Sequence, residues 1–413
     1  MKTENLKKYK LGEILDFFNG KQRPKNIGKY PLYGGNGIID YVDEYNYDDN
    51  IIIGRVGANC GCVQICNEKC WVSDNAISVK VKSDFDKQYI FQLLKTLNLN
   101  TKHVGAAQPL ITQNILSELI VRVPPLESQQ KIAAVLSALD DKIALNRRMN
   151  AKLELMAKRL YDHWFVQFNF PFDFAQGKPD AGGTVGERSR TKPYKASGGK
   201  MEYNEVLKRE IPAGWEVKSV NDISISYRGV GYSADDEKSV NDKDVVLVLR
   251  GNNISNNHIV YDSNTVYLDK SFVSEEQKIN KFDIVMTMSS GSKEHVGKSA
   301  MFLFDSPHSY GAFCNKITPN KECQFFLENY LHSEFFKKYI KVTCSGTGIN
   351  NLTNEHFDKA LFAFPTEKLL KIFNEKVEPI YEQMGILEKE NQKLTALRDR
   401  LLPLLMNGQV EMK

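Results

Sequence analysis

Apolar residues recur along one stretch of the chain at alternating steps of four and three. The stretch runs from about Leu126 to Trp164 and contains no glycine and no proline. Its seam positions are Ile132, Leu136, Leu139, Ile143, Asn146, Asn150, Leu153, Ala157, Leu160 and Trp164. This spacing keeps one face of a helix turned towards a partner helix, as in a coiled coil. It predicts a long helix over residues 124–165, with a seam of about 33 residues that is roughly 50 Å long.

The same pattern returns 241 residues later, so that Asn391 corresponds to Asn150. The second seam consists of Phe373, Val377, Ile380, Met384, Leu387, Asn391, Leu394, Arg398, Leu401 and Leu405. It predicts a second helix over residues 365–413. Pro379 and Gly385 are expected to kink or fray the first half of this helix.

Each predicted helix follows a globular body that mixes strands and helices. The first body, residues 1–123, has predicted strands at 51–54, 62–65 and 76–81 and a predicted helix at 86–97. The second body, residues 211–364, has predicted strands at 245–249 and 283–288 and a helix at 324–340. A polar linker rich in Gly, Pro and Lys is predicted over 166–210. The two bodies are not obviously alike in sequence, which suits a molecule that grips two different targets at a fixed separation.

Composition narrows the class of protein without naming a partner. The 413 residues are enough for two or three domains, and 42% hydrophobic and 26% charged residues are typical of a globular protein. The net charge of +4 neither requires nor excludes nucleic acid, because a local basic face matters more than the sum. No signal core and no apolar run of about 18 residues is present, so a cytoplasmic location without a membrane span is expected.

The seven cysteines are expected to be free thiols in a reducing compartment. Four of them lie close together at Cys60, Cys62, Cys66 and Cys70, which raises the possibility of a zinc site. Their spacing contains no C-x-x-C pair, and no histidine is nearby. The alternation with Val63 and Ile65 favours buried strand residues, so no metal ligand is predicted.

No constellation of catalytic residues is found in the sequence. The stretch from Gly291 to Ser299 resembles a phosphate-binding loop but has five residues between its glycines where the motif needs four. The residues that follow, 300–304, favour a strand rather than the helix that would hold a phosphate. The seven histidines form no H-x-x-x-H pair. The sequence therefore predicts neither an enzyme nor a cofactor site.

Several motifs together resemble one family. They are Tyr30-Pro-Leu-Tyr-Gly-Gly-Asn-Gly, Ile53-Gly-Arg-Val-Gly, Gly105-Ala-Ala-Gln-Pro-Leu-Ile-Thr, Val123-Pro-Pro-Leu-Glu-Ser-Gln-Gln-Lys and Ile211-Pro-Ala-Gly-Trp. In combination, and over nearly the whole chain, they resemble the DNA-specificity (S) subunit of type I restriction–modification systems. The second half departs from the pattern, because Phe364-Pro365-Thr lacks the double proline and Leu369-Leu-Lys replaces Gln-Gln-Lys.

The resemblance implies an α+β fold with a pseudo-two-fold internal repeat. Two mixed α/β target-recognition domains are separated by two long antiparallel coiled-coil helices, and each domain recognises one half of a bipartite site in double-stranded DNA. Two modification (methyltransferase) subunits bind the helices, and restriction subunits join them. S-adenosylmethionine, ATP and Mg belong to those partner subunits, and this chain itself has no cofactor. Because the two bodies differ in sequence, the two half-sites are expected to differ.

Polar residues in glycine-rich loops or after strands are the candidate DNA contacts. In the first body they are Lys21, Arg23, Tyr33, Gly34, Asn36, Gly37, Arg55, Asn59 and Gln108. In the second body they are Arg250, Asn252, Asn253, Ser290, Ser292, Lys293, Lys298, Thr347 and Asn350. The alternatives are solvated surface, ordinary turns and, for Gln108, a helix cap.

Asn150 and Asn391 suggest how the register of the helices is set. In an antiparallel pair, residues 146–150 are expected to face residues 387–391. Buried Asn residues weaken such a seam but fix its register, because only one alignment lets the amides form hydrogen bonds. The alternative is that both residues face solvent.

Two rival functions remain open from the sequence. One is an enzyme, such as a fused methyltransferase or nuclease, which predicts turnover when S-adenosylmethionine and DNA are added to the purified chain. The other is a coiled-coil scaffold whose bodies bind proteins, which predicts no methylated motif in cells that carry the operon.

Overall fold

A computed structural model describes residues 6–104, 109–172, 192–261, 265–344 and 350–409. The candidate contacts Gln108 and Thr347 lie outside these ranges, as do residues 173–191 of the predicted linker. The chain divides into two compact units, residues 1–146 with 389–413 and residues 147–388. In the described part of the chain, no helix is long and apolar enough to cross a membrane.

In its described residues, the first unit contains ten strands and three short α-helices before a long α-helix begins. They are β1 Lys7–Lys10, α1 Leu11–Ile14, β2 Leu15–Asn19, β3 Ile27–Gly34, β4 Gly37–Val42, β5 Tyr47–Asp48, β6 Ile51–Gly54, β7 Val63–Ile65, β8 Lys69–Val72, β9 Ala76–Val81, α2 Lys87–Thr96, α3 Gln113–Glu118, β10 Ile120–Val123 and α4 Leu126–Tyr161. The strand orders are β2-β9-β6-β7 and β4-β3-β8-β5, and β1 pairs with β10. The predicted helix at 86–97 is confirmed as α2, and Asp86 caps it by accepting a hydrogen bond from the Tyr89 N–H.

The second unit contains fifteen described strands. They are β11 Met201–Asn204, β12 Arg209–Pro212, β13 Glu216–Ser219, β14 Ser224–Arg228, β15 Val245–Leu249, β16 Ile254–Ser255, β17 His258–Ile259, β18 Val266–Asp269, β19 Ile284–Thr287, β20 Ser289–Ser290, β21 Ser299–Met301, β22 Ser309–Tyr310, β23 Cys314–Pro319, β24 Asn350–Asn351 and β25 Leu361–Phe364. Its later helices are α5 Gln324–Leu331, α6 Glu334–Thr343, α7 Asn354–Lys359 and α8 Glu367–Met406. The strand orders include β14-β23-β19-β21, β18-β15-β22 and the pair β13-β25.

The two bodies share one strand arrangement despite their different sequences. The order β2-β9-β6-β7 in the first body matches β14-β23-β19-β21 in the second. Likewise, β4-β3-β8 matches β18-β15-β22, with a parallel pairing of β3 to β8 and of β15 to β22. The internal repeat therefore extends beyond the long helices into the bodies.

Two predictions about helices are wrong in detail. The helix predicted at 324–340 is two helices, because the chain turns at Ser333, whose hydroxyl accepts a hydrogen bond from the Phe336 N–H and starts α6. In contrast, α8 continues through Pro379 and Gly385 without the expected fraying. Gly385 lets the helix approach Leu303 closely, since a Cβ at this position would lie 3.1 Å from the Leu303 Cβ.

The flanks of the predicted polar linker belong to a hydrophobic core. Phe170 stacks on Tyr194 with ring centroids 4.5 Å apart and on Trp215 at 5.4 Å. Phe168, on the same flank, is 1% exposed. Aromatic rings of this size contribute large apolar areas when they are buried. The boundary of 166–210 is therefore wrong at both described ends of the linker.

The long helices run antiparallel within each unit. In the first unit Asp140 forms an ion pair with Arg398 at 2.9 Å, which explains how the seam accommodates that arginine. In the second unit the Asn150 amide donates a 3.4 Å hydrogen bond to the Met384 carbonyl, and Tyr161 contacts Phe373. The buried predicted seam residues are Leu136, Ile143, Asn150, Met384 and Leu387, and the half-buried ones are Leu139, Leu153, Leu160, Ile380, Asn391, Leu394 and Leu401.

Asn391 does not form its hydrogen bond with Asn150, its counterpart in the repeat. Its side-chain oxygen accepts a 3.0 Å hydrogen bond from Asn146, whose amide also donates to Glu390 at 2.8 Å. Asn146 is fully buried and Asn150 is 8% exposed, so neither side chain faces solvent. The polar residues of the seam thus form specific hydrogen bonds, which suits a role in fixing the register.

A buried carboxyl in the second unit makes stability depend on pH. Burial and the nearby Glu154 raise the pKa of Glu328 to about 8, whereas an unfolded chain has a Glu pKa of about 4.3. Because the folded state keeps this proton longer, the contribution of Glu328 to the free energy of unfolding falls as pH rises from about 4.3 to about 8. We expect Glu328→Gln to raise the melting temperature relative to the wild type more at pH 9 than at pH 5. Glu334→Gln, at an exposed position, is the control, and an equal shift at both pH values would contradict the assignment.

Candidate nucleic-acid interface

Two loops of the first body meet around Gly54, the last residue of β6. A Cβ at Gly54 would lie 2.3 Å from the Gly35 carbonyl oxygen and 2.4 Å from the Asn59 carbonyl oxygen. The hairpin turn between β3 and β4 and the 3₁₀ turn Gly57–Asn59 can approach β6 this closely because glycine has no side chain. Gly54 therefore brings Asn36, beside Gly35 in the hairpin turn, and Asn59 to one edge of the body.

The same edge carries a polar network that includes Arg55. Its guanidinium donates to the Asn19 side-chain oxygen at 3.5 Å, and Gln113 donates to the same oxygen at 2.9 Å. The Arg55 backbone N–H donates to the Asn75 carbonyl at 2.9 Å, and the Ile111 N–H donates to the Arg55 carbonyl. These bonds fix a basic side chain between several amides, which is the chemistry that binds phosphate oxygens and base edges.

Lys21 adjoins this edge through a close backbone contact. Its N–H donates to the Val72 carbonyl at 3.0 Å, while a Cβ at Gly20 would lie 1.8 Å from the Ser73 carbonyl oxygen. The Lys21 side chain is exposed. It can therefore reach a phosphate beside the network around Arg55.

The structure places the remaining first-body candidates differently. Arg23 forms an ion pair with Asp40, so its charge is partly compensated. Asn36 is exposed and accepts a hydrogen bond from the Cys62 thiol, and Gly37 has the positive φ of 109° that its turn requires. Tyr33 and Gly34 are buried, and the Tyr33 ring packs against Cys66 and Cys70. Contact with DNA through the Tyr33 side chain is contradicted, because this ring belongs to the core.

The second body repeats the geometry at the corresponding edge. Here the loop rather than the strand supplies the glycine that permits a close approach, since a Cβ at Gly251 would lie 2.9 Å from the Cγ2 of Thr287, the last residue of β19. The next residue, Asn252, is exposed and corresponds to Asn36. Arg250, Asn252 and Ser290 line one cleft of about 520 Å³. Within it, burial raises the pKa of Tyr232 while the Arg250 guanidinium acts in the opposite direction.

Asn253 does not contact this cleft. Its side chain is fully buried, its oxygen accepts a 2.9 Å hydrogen bond from the Arg250 N–H, and its amide donates to the Val260 carbonyl at 3.0 Å. The prediction that Asn253 contacts DNA is therefore wrong, because both ends of the amide stabilise the loop.

The loop after β19 presents the other predicted polar residues. Ser292 and Lys293 are exposed, and Lys298 is half-buried with its ammonium 3.0 Å from the His295 Nδ1. Ser290 pairs through its backbone with Asn350 in the short β20–β24 ladder. Only the backbone of Asn350 is described, so the predicted contact of its side chain with DNA stays a prediction.

Sequence reasoning missed several residues of both edges. They are Asn19, Asn75 and Gln113 in the first body and Arg228, Phe313 and Asn315 in the second. Asn75 and Phe313 occupy matching positions, because the Arg55 N–H donates to the Asn75 carbonyl as the Met288 N–H donates to the Phe313 carbonyl. No local sequence signal marks these residues, since they come together only through the strand order.

Six of the seven cysteines are buried in the protein. Cys60, Cys66 and Cys70 are buried, Cys62 is half-buried, and all seven cysteines are free thiols. In the described ranges, no group of three or more His, Cys, Asp or Glu residues could hold a metal ion. The possible zinc site therefore gains no support.

Comparisons with known proteins agree with this architecture. Residues 3–155 match the family model described as the type I restriction modification DNA specificity domain. The chain is 33% identical to the type I restriction enzyme StySPI specificity subunit of Salmonella potsdam, over 48% of this chain and 44% of that protein. It is 28% identical to the HindI specificity subunit of Haemophilus influenzae, over 73% of this chain and 71% of that one.

The whole fold has a solved counterpart. The S subunit of a type I restriction–modification system from M. genitalium superimposes with a TM-score of 0.57 at 15% identity, covering 100% of this chain and 98% of that one. At this identity the likeness concerns the fold alone. It includes two mixed bodies and long helices. Residues 3–155 are therefore similar in sequence to the type I restriction modification DNA specificity domain, and the fold is that of a solved S subunit, while the chain spans less than half the length of the StySPI specificity subunit that it matches.

Proposed function

We propose that this chain is the DNA-recognition subunit of a type I restriction–modification complex and carries no catalytic activity itself. The observation that carries the proposal is the shared fold of the two bodies with different residues at the same edge. Residues 1–123 and 211–364 then act as two target-recognition domains. Because each domain presents its own set of side chains, the recognised site is bipartite and asymmetric.

The residues at matching positions support recognition of two different half-sites. Asn36 and Asn252 are both exposed amides, and an amide can donate to and accept from an adenine edge. Around them the positions differ, since the basic Arg55 corresponds to Met288 and the amide Asn75 to Phe313. A changed pattern of donors, acceptors and apolar groups on one scaffold changes the base sequence that is bound.

The long helices α4 and α8 supply the spacing between the half-sites. Residues 124–165 and 365–413 act as spacers whose register is fixed by Asn146, Asn391 and Asn150. Two modification subunits bind along these helices and supply S-adenosylmethionine and the methyl transfer, while restriction subunits supply ATP, Mg and cleavage. The modest charge of +4 suits a chain that needs such partners to bind phosphates tightly.

Reconstitution tests whether this chain recognises DNA while its partner subunits carry out the methyl transfer. The purified chain, mixed with S-adenosylmethionine and DNA, is expected to transfer no methyl group, and its binding to DNA should be weak and salt-sensitive. Addition of the modification subunits from the same operon should produce methylated adenine at one bipartite motif. Methyl transfer by the chain alone, or no motif with the partners present, would refute the proposal.

A further inference from the structure

We propose that Phe313 buries its ring against the bases of the half-site that the second body recognises, an inference that rests on the proposed function. Phe313 is 67% exposed, more than any other phenylalanine in the described part of the chain. It lies in the short turn between β22 and β23. An apolar ring held in solvent at a polar surface marks a contact with a partner that has apolar faces.

The backbone holds this turn in place. The Phe313 carbonyl accepts hydrogen bonds from the Met288 N–H at 2.8 Å and from the Ser289 N–H at 3.2 Å. The preceding Gly311 is in close backbone contact, since a Cβ at Gly229 would lie 2.2 Å from its carbonyl oxygen. A fixed backbone presents the ring at little entropic cost when a partner binds.

The surroundings of the ring select nucleic acid as the partner. Phe313 separates two clefts and lines both of them. The polar residues on the two sides include Arg250, Asn252 and Ser290 in one cleft and Arg228, Asn315 and Asn354 in the other. The apolar side chains of Val230, Met288 and Leu352 also line these clefts, but all three are buried, so Phe313 is the exposed apolar ring between them. Guanidinium, amide and hydroxyl groups around one aromatic ring match DNA, whose bases are apolar on their faces and polar on their edges.

The matching turn of the first body carries Asn75 in place of Phe313. Since each turn accepts a hydrogen bond from the residue that follows β6 or β19, the scaffold accepts either residue. At this position the first body offers a hydrogen-bonding amide, and the second body offers a stacking or apolar ring. This assigns Phe313 to the recognition of one half-site only, and it provides a variant, Phe313→Asn, that the turn is built to tolerate.

The test uses the chain assembled with its modification subunits and duplexes that contain its methylated motif. We expect Phe313→Asn and Phe313→Ala to weaken binding of these duplexes about tenfold to 100-fold, as expected for loss of one base–aromatic contact. Phe335→Ala, which removes a ring that is 59% exposed on α6, should leave the affinity within about twofold of the wild type.

Two DNA probes distinguish the form of the contact. If the ring unstacks a base step, 2-aminopurine at that step of the second half-site should fluoresce with the wild-type complex and not with Phe313→Asn. If the ring packs on a thymine methyl, replacement of that thymine by uracil should weaken the wild type and not the variant. If both Phe313 variants bind with wild-type affinity and specificity, the inference about Phe313 is overturned, while the proposed function is unaffected. A wild-type complex that methylates no bipartite motif would instead overturn the proposed function.

Discussion

Replacing Gly54 by alanine is expected to lower methylation of the recognised motif by about 100-fold or more, because the loss of contacts to even two base pairs costs this much. The added methyl group would lie 2.3 Å from the Gly35 oxygen and 2.4 Å from the Asn59 oxygen. Both atoms belong to the backbone, so the hairpin turn and the 3₁₀ turn must move apart. Asn36 and Asn59 then leave the edge that carries Arg55.

Gly35→Ala is the matched control for this experiment. A Cβ at Gly35 has no contact closer than 3.7 Å, so it adds the same methyl group to the same loop cluster without displacing the backbone. We expect this variant to melt and to methylate like the wild type. The measurement is the rate of methyl transfer to a duplex with the motif, with circular dichroism to show that each variant is folded. A Gly54→Ala variant that methylates at the wild-type rate would contradict the described edge.

We expect the stability of the second body to be especially sensitive to loss of its buried ion pair. The side chains of Lys316 and Asp283 are 4% and 2% exposed and lie 3.5 Å apart. Asp283 also accepts a 2.6 Å hydrogen bond from the Thr318 hydroxyl. Because Lys316→Met leaves this carboxylate buried without its cation, we expect the free energy of unfolding to fall by about 3–5 kcal/mol.

Two further variants test the cause of that loss. The double variant Lys316→Met with Asp283→Asn should recover part of the stability, since no unpaired charge remains buried while the hydrogen-bond acceptor is kept. Lys337→Met breaks an exposed pair with Glu334 and should cost less than about 1 kcal/mol. Urea unfolding of the second body followed by tryptophan fluorescence measures all three. A loss for Lys316→Met no larger than that for Lys337→Met would contradict the account.

The long helices and several strands could be predicted because their signals are local. The seam over 126–161 depends on one periodic pattern, and the same pattern identified α8 at a constant spacing of 241 residues. The break at Ser333 was missed because apolar residues continue on both sides of it. Only the capping hydrogen bond to the Phe336 N–H shows where one helix stops and another starts.

The likeness between the two bodies could not be predicted, because its spacing is not constant. Lys21 corresponds to Val230 at 209 residues, Arg55 to Met288 at 233 and Ile111 to Leu352 at 241, as the hydrogen bonds show. Loops of different length between the strands shift this spacing along the chain. Hydrogen bonds and strand order are retained through such insertions. A comparison of residues at one fixed spacing fails, because each insertion changes the spacing.

The exposure of the candidate residues could be predicted only in part, for a related physical reason. Residue type and a position after a strand identify polar loops, and Arg55 and Arg250 do lie at the loop edges. Type alone cannot tell whether an amide faces outward, as Asn252 does, or closes its own loop, as Asn253 does. Nor could it identify Phe313, because an aromatic residue near strands is usually part of a core.

The modular use of two bodies is tested most directly by exchanging one of them. Residues 1–123 are replaced by the equivalent body of a relative, the hybrid is expressed with its modification subunits, and methylated adenines are sequenced across the genome. The account predicts that one half of the motif changes while the other half and the gap stay the same. A motif that changes in both halves would contradict it.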